Sequence, residues 1–189
     1  MSCGTQSFDA SDPGIPGARF LTEIHDTCSK LADRTEAAVE AGHLPLILGG
    51  DHSQAIGTIA GMARAYRKRN ETMGVFWVDA HTDMNTPESS PSGNIHGMPL
   101  ATLMGHGPDK LVALCGDEPA LDPSKVVIFG ARDIDATEIP LVKELGVRVY
   151  TMHEIDSRGT AECMREGIER TLDGTCGVHL SFDLDGVDP

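Results

Sequence analysis

Apolar residues along this chain keep two rhythms that take turns. Between Ala18 and Ala41 they recur at Phe20, Ile24, Cys28, Leu31, Ala38 and Val39, one face of a helix, with Gly42 as its stop. Leu44–Leu48 is a short unbroken apolar run closed by Gly49-Gly50, which predicts a buried strand and a tight turn. Helical spacing returns over Gln54–Lys68 through Ile56, Ile59, Ala63 and Tyr66. A second apolar run, Val75–Val78, breaks off into Asp79, His81 and Asp83. The polar stretch Thr86–Gly97 reads as a loop, and Leu100–Met104 as a short helix. Strands are predicted at Val126–Phe129, Val147–Tyr150 and Val178–Phe182, and helices at Ile139–Leu145 and Thr160–Leu172. Residues 1–17, rich in Gly, Pro, Ser and Asp, read as an irregular lead-in.

Strands that alternate with helices predict an α/β fold: three αβα layers around a central parallel sheet. With no internal repeat or linker, residues 1–189 are read as a single domain. Ligands in such sheets gather at the carboxyl ends of the strands. Three of the five predicted strands end in acidic or histidine-bearing segments: Gly49-Gly50-Asp51-His52, Asp79–Asp83 and Asp183–Asp185. Side chains two apart on a strand share a face, so Asp79, His81 and Asp83 are expected to converge if strand geometry persists through them.

Pooled, the three ends offer His52, Asp79, His81, Asp83, Asp183 and Asp185. Six oxygen and nitrogen ligands exceed one tetrahedral zinc, and the lack of thiolate favours a harder metal. Two ions bridged by shared carboxylates account for all six. Manganese is the first choice, with cobalt, iron or a zinc pair left open, and the reaction class is metal-assisted hydrolysis. Asp51 is read as orienting His52, and His96 in the polar loop as a proton carrier. His25, His106, His153 and His179 are read as structural or solvent-facing. Ser53 lacks a G-x-S-x-G setting and is rejected as a nucleophile.

Charge narrows the partners. A net charge of −14 disfavours nucleic acid and anionic membrane, and suits either a solubility surface or a cationic substrate. No apolar run is long enough for a membrane helix, and the first residues lack a secretory pattern. The five cysteines are scattered and form no C-x-x-C pair, which argues for a reducing, cytoplasmic location.

GGDHS at 49–53, DAHTDMN at 79–85, SGNIHG at 92–97 and SFDLDGVDP at 181–189 resemble the ureohydrolases, the arginase and agmatinase superfamily. Asn85-Thr86-Pro87 with Ser92-Gly93-Asn94, and Arg132-Asp133-Ile134-Asp135 with Glu138, look like the arginase branch. The resemblance implies an arginase-like fold, two manganese ions, and hydrolysis of L-arginine to L-ornithine and urea. It implies that His52 and Asp83 bind one ion, His81 and Asp185 the other, and that Asp79 and Asp183 bridge them. Asp83 would also contact the nucleophile, and His96 would shuttle protons. Asn85, Ser92 and Asn94 would hold the substrate carboxylate, with Asp135 and Glu138 facing its amino group. Family chains are longer at both ends, so the 189 residues read as an incomplete fold that is expected to fold poorly or be inactive alone. The full-length form is expected to be a homo-oligomer, a trimer or hexamer. The rivals are an amidinohydrolase for agmatine or another guanidino compound, and an inactive metal-binding homologue.

Overall fold

Short runs of Val, Ile, Phe and Trp fit a pleated surface better than a helix, and here they build one sheet. The computed structural model describes residues 14–187. Its strands β1 (Gly74–Val78), β2 (Val126–Ala131), β3 (Arg148–Thr151) and β4 (Val178–Phe182) run parallel in the order β3-β2-β1-β4. β1 lies inside the sheet, Val75–Val78 in register with Val126–Phe129 and Gly74–Val78 with Val178–Phe182.

Period-two alternation divides the strands between two apolar cores. Val75, Trp77, Val126 and Ile128 face α1 (Leu21–Glu40), α2 (Gln54–Arg67), α3 (Pro99–Leu103) and Leu111 of α4 (Asp109–Val112). Leu141, Val142 and Leu145 of α5 (Ile139–Leu145) pack against the same core. Phe76, Val127, Phe129 and Tyr150 face the other way, onto Ile155 of α6 (Met152–Arg158) and Cys163 of α7 (Thr160–Leu172). The result is the expected αβα arrangement. Helices α1 and α2 touch backbone to backbone, because a methyl group on Gly57 or Gly61 would collide with the carbonyls of Cys28 and Ala32.

One predicted element is absent. Leu44–Leu48 forms no helix or strand, and Leu44, Leu46 and Leu48 are 92%, 82% and 84% exposed. An apolar run becomes a strand only when a neighbouring strand takes its N–H and C=O groups, and no described residue does so here. The other elements fall within a few residues of their predicted bounds, and α4 and α6 are additional. α6 starts where Thr151 Oγ1 accepts the Glu154 N–H at 3.2 Å. Of the lead-in, residues 1–13 lie outside the described residues, while Ile15 and Ala18 close a tight turn.

β4 is only half covered. Its register puts Val178, Leu180 and Phe182 on the Phe76 face, where all three are exposed. Exposed Met164, Ile168 and Leu172 of α7 stand on that same side of the sheet. Among the described residues no helix is long and apolar enough to cross a membrane.

Candidate metal centre

The parallel ladder continues past the strand ends and sets the acidic loops side by side. Asp79 donates its N–H to Phe129 O at 3.1 Å, and Asp183 donates to Val78 O at 2.9 Å. Arg132 N and Asp133 N then reach Ala80 O at 2.8 and 3.0 Å. Together with the turn into α2 and the 85–97 loop, these ends enclose a cleft of about 410 Å³. Among the described residues, eight carboxylate side chains line it and no lysine or arginine does. Such a concentration of negative charge favours cations.

His52 and His81 project into this acidic cleft. His52 Nδ1 lies 2.9 Å from Asp79 Oδ2, 3.1 Å from Asp83 Oδ2 and 3.3 Å from Asp183 Oδ2. One ring N–H cannot serve three oxygens, and His52 Nδ1 and Asp83 Oδ2 are both buried without a well-formed hydrogen bond. Burial pushes the His52 pKa down, but the Asp79 and Asp83 carboxylates outweigh it and raise it to about 9. Burial raises Asp83 as well, with the Asp79 and Glu138 charges adding to the rise and His52 opposing it. His81 Nδ1 lies 3.2 Å from Asp185 Oδ2 and 3.3 Å from Asp79 Oδ1. Its burial acts downward, and Asp185, Asp79 and Asp83 raise it overall. A protonated imidazole standing amid carboxylates is the arrangement a divalent cation would replace.

Two ligand sets result. One donor atom each from His52, Asp79 and Asp183 falls within a 4.8 Å span, and so does one each from Asp79, His81 and Asp185. Asp79 belongs to both, and Asp83 joins the first through His52. Imidazole nitrogen and carboxylate oxygen, with two buried atoms lacking hydrogen-bond partners, fit a pair of divalent ions.

The remaining predicted residues line the same cleft. Asn85 is buried, gives its side-chain N–H to Asp135 Oδ2 at 2.8 Å and accepts from Ser89 Oγ at 2.9 Å. Ser92 and His96 are exposed at the rim, with Asn94 half-buried between them. Glu138 is buried, and its oxygens accept Met84 N at 2.8 Å and Asp135 N at 3.0 Å. That leaves Asp135 the freer carboxylate of the two. Asp51 does not grip the His52 ring: it takes the Ser53 N–H at 3.0 Å and the Ser53 hydroxyl, fixing the turn into α2.

The groups that hold His52 are ones the sequence reading passed over. Ser181 Oγ lies 2.8 Å from its Nε2, and the Trp77 ring stacks on it at 4.0 Å between centroids. Trp77 and Ser181 are partners in the β1–β4 register. A two-residue backward step from Asp79 and Asp183 along each strand would have found both. His179, also on β4, is pushed down to about 4 by burial and by the nearby His52 charge.

Comparison with known proteins agrees with this geometry. The chain is 48% identical over 178 residues to the arginase of Bacillus caldovelox, covering 94% of this chain and 58% of that one. It is 54% identical over 163 residues to the arginase of Bacillus subtilis strain 168, covering 85% and 52%. The solved Entamoeba histolytica arginase in complex with L-ornithine superposes with a TM-score of 0.88 at 38% identity, over 98% of this chain and 62% of that one. The chain thus spans little more than half the length of the relatives it matches. The Arginase family model matches residues 3–189, and with that match across sheet, loops and acidic strand ends, the chain belongs to the arginase family.

Proposed function

We propose that these residues form the dinuclear manganese site of an amidinohydrolase that converts L-arginine to L-ornithine and urea. The observation that carries this reading is the pair of ligand sets sharing Asp79 in a cleft whose described lining includes no lysine or arginine. His52, Asp83, Asp79 and Asp183 would hold one ion, and His81, Asp185, Asp79 and Asp183 the other. Such a pair, when bound, supplies Lewis acidity and makes water acidic enough to ionise near neutral pH.

The chain's own residues do the rest. Asp83 Oδ2, buried beside His52, accepts a hydrogen bond from the attacking water and fixes its direction toward the guanidinium carbon. His96, exposed at the rim, carries protons between the departing amine and solvent. Asn85, Ser92 and Asn94 offer donors to the substrate carboxylate. Asp135, held in place by the Asn85 amide, faces the substrate amino group, and Glu138 adds charge behind it while tying the 84 and 135 backbones together. The cleft's negative charge favours the singly charged guanidinium and amino groups of such a substrate over an anion. Free Cys28, Cys115, Cys163 and Cys176 fit a reducing, cytoplasmic setting, and the full-length protein is read as a homo-oligomer.

Urea release from arginine and from agmatine is the test. Turnover of arginine, abolished by Asp79→Ala and cut about 10²-fold or more by His96→Ala, is the expected result. Equal turnover of agmatine, which lacks the carboxylate, would sink the arginine assignment and favour the other guanidino reading.

A further inference from the structure

We propose that Ser89 is a positioning residue for substrate selection: it fixes which end of the Asn85 side-chain amide faces the cleft. The inference rests on the carboxylate-donor role proposed for Asn85 and deepens it by naming what enforces that role. An amide turned one way offers N–H groups to an anion, and turned the other way it offers a repelling carbonyl oxygen. The neighbours of Asn85 decide between the two. Asn85 Nδ2 stands 2.8 Å from Asp135 Oδ2, and an ionised carboxylate only accepts, so the N–H end must face it. At the other end of the amide, Ser89 Oγ lies 2.9 Å from Asn85 Oδ1. That hydroxyl already accepts the Thr86 N–H at 2.8 Å, which turns its own proton toward Oδ1. Thr137 Oγ1, at 3.4 Å, meets the second lone pair of the same oxygen. Ser89 is itself held, because its N–H donates to Thr86 O at 3.2 Å across a tight turn in which Pro87 presets the backbone. Asn85 is buried, so water does not repair a wrongly turned amide. Nδ2 carries a second hydrogen, and Asn85 lines the cleft, so that hydrogen is the one offered to a ligand carboxylate.

The test is calorimetric binding of L-ornithine and of putrescine, its analogue without the carboxylate, to the manganese-loaded chain. Ser89→Ala should weaken ornithine about tenfold, the usual cost of a lost hydrogen bond to a charged group, and putrescine by less than about twofold. Ser89→Thr keeps the hydroxyl and should restore ornithine affinity. Because Ser89 acts through Asn85, Ser89→Ala made in an Asn85→Ala background should add less than about twofold to the loss. Equal losses for the two ligands, no loss for either, or additive losses in the double variant overturn the role of Ser89 and leave that of Asn85 standing. An Asn85→Ala chain that keeps full ornithine affinity, or a wild-type chain that binds no ornithine, overturns the Asn85 role and this proposal with it. If Ser89→Ala does not fold, Ser89→Cys takes its place, being close in shape but a weak donor, and the same outcomes decide.

Discussion

Asp83 reaches the centre by a route that strand alternation does not describe. β1 ends at Val78, and Asp83 adopts a left-handed backbone with φ of 51°, a conformation that costs a non-glycine residue on the order of 1–2 kcal/mol. The kink turns its carboxylate onto His52 while its carbonyl accepts Leu100 N at 3.1 Å and Ala101 N at 3.4 Å, closing the first turn of α3. The chemistry of the six donors was legible because acidic and imidazole residues after apolar runs are easy to see. The kink, and the stacking of Trp77 on His52, were not, since both depend on what lies across the sheet. The same crowding sets a pH dependence. His52 has a folded pKa of about 9 against an ordinary 6.5, so its contribution is complete below pH 6.5 and disappears as pH rises through 9. That contribution is roughly 3 kcal/mol. Asp83, raised as well, acts in the same direction. The metal-free chain in chelator should therefore melt at falling temperature from pH 6.5 to 9. With manganese present the trend should flatten or reverse, because metal replaces the proton on His52. A melting temperature in chelator that is constant over this range would refute the assignment.

At the scale of elements, most of the fold was readable, and the exceptions have separate causes. Helices announced themselves by period, as in α7, and α6 left a signature that went unread: Thr151 three residues ahead of Glu154, a capping pattern realised in the Thr151 hydrogen bond. Leu44–Leu48 failed for the opposite reason, since its composition is that of a strand but pairing is a property of two segments. The α1–α2 contact was also invisible in the sequence, where Gly57 and Gly61 look like weak points in a helix rather than the places where carbonyls of α1 lie. Gly61→Ala should destabilise the chain by about 1–3 kcal/mol, the usual penalty of overpacking, despite its better helix propensity. Denaturant unfolding measures this directly. Stabilisation would mean that the two helices have room to part.

At the scale of the whole molecule, strong negative charge coexists with a broad apolar surface. Leu44, Leu46 and Leu48, the outward face of β4 and the adjoining side of α7 are all in water. Exposed apolar area of this kind promotes association, and an unpaired strand edge supplies the template. In light scattering the 189-residue chain should show concentration-dependent association, and Leu180→Glu with Leu46→Lys should reduce it. A monodisperse monomer at high concentration would contradict this. The β4 strand has a double duty that follows from its place in the sheet. Its carboxyl end delivers Ser181, Asp183 and Asp185 to the cleft, while no strand among the described residues pairs with its outer edge. Any strand that docks there restrains the same backbone that presents those donors, so docking and metal uptake are two ligands of one equilibrium. Linkage then makes their effects reciprocal: whatever a neighbouring strand adds to metal affinity, the metal returns in full to the affinity of that strand.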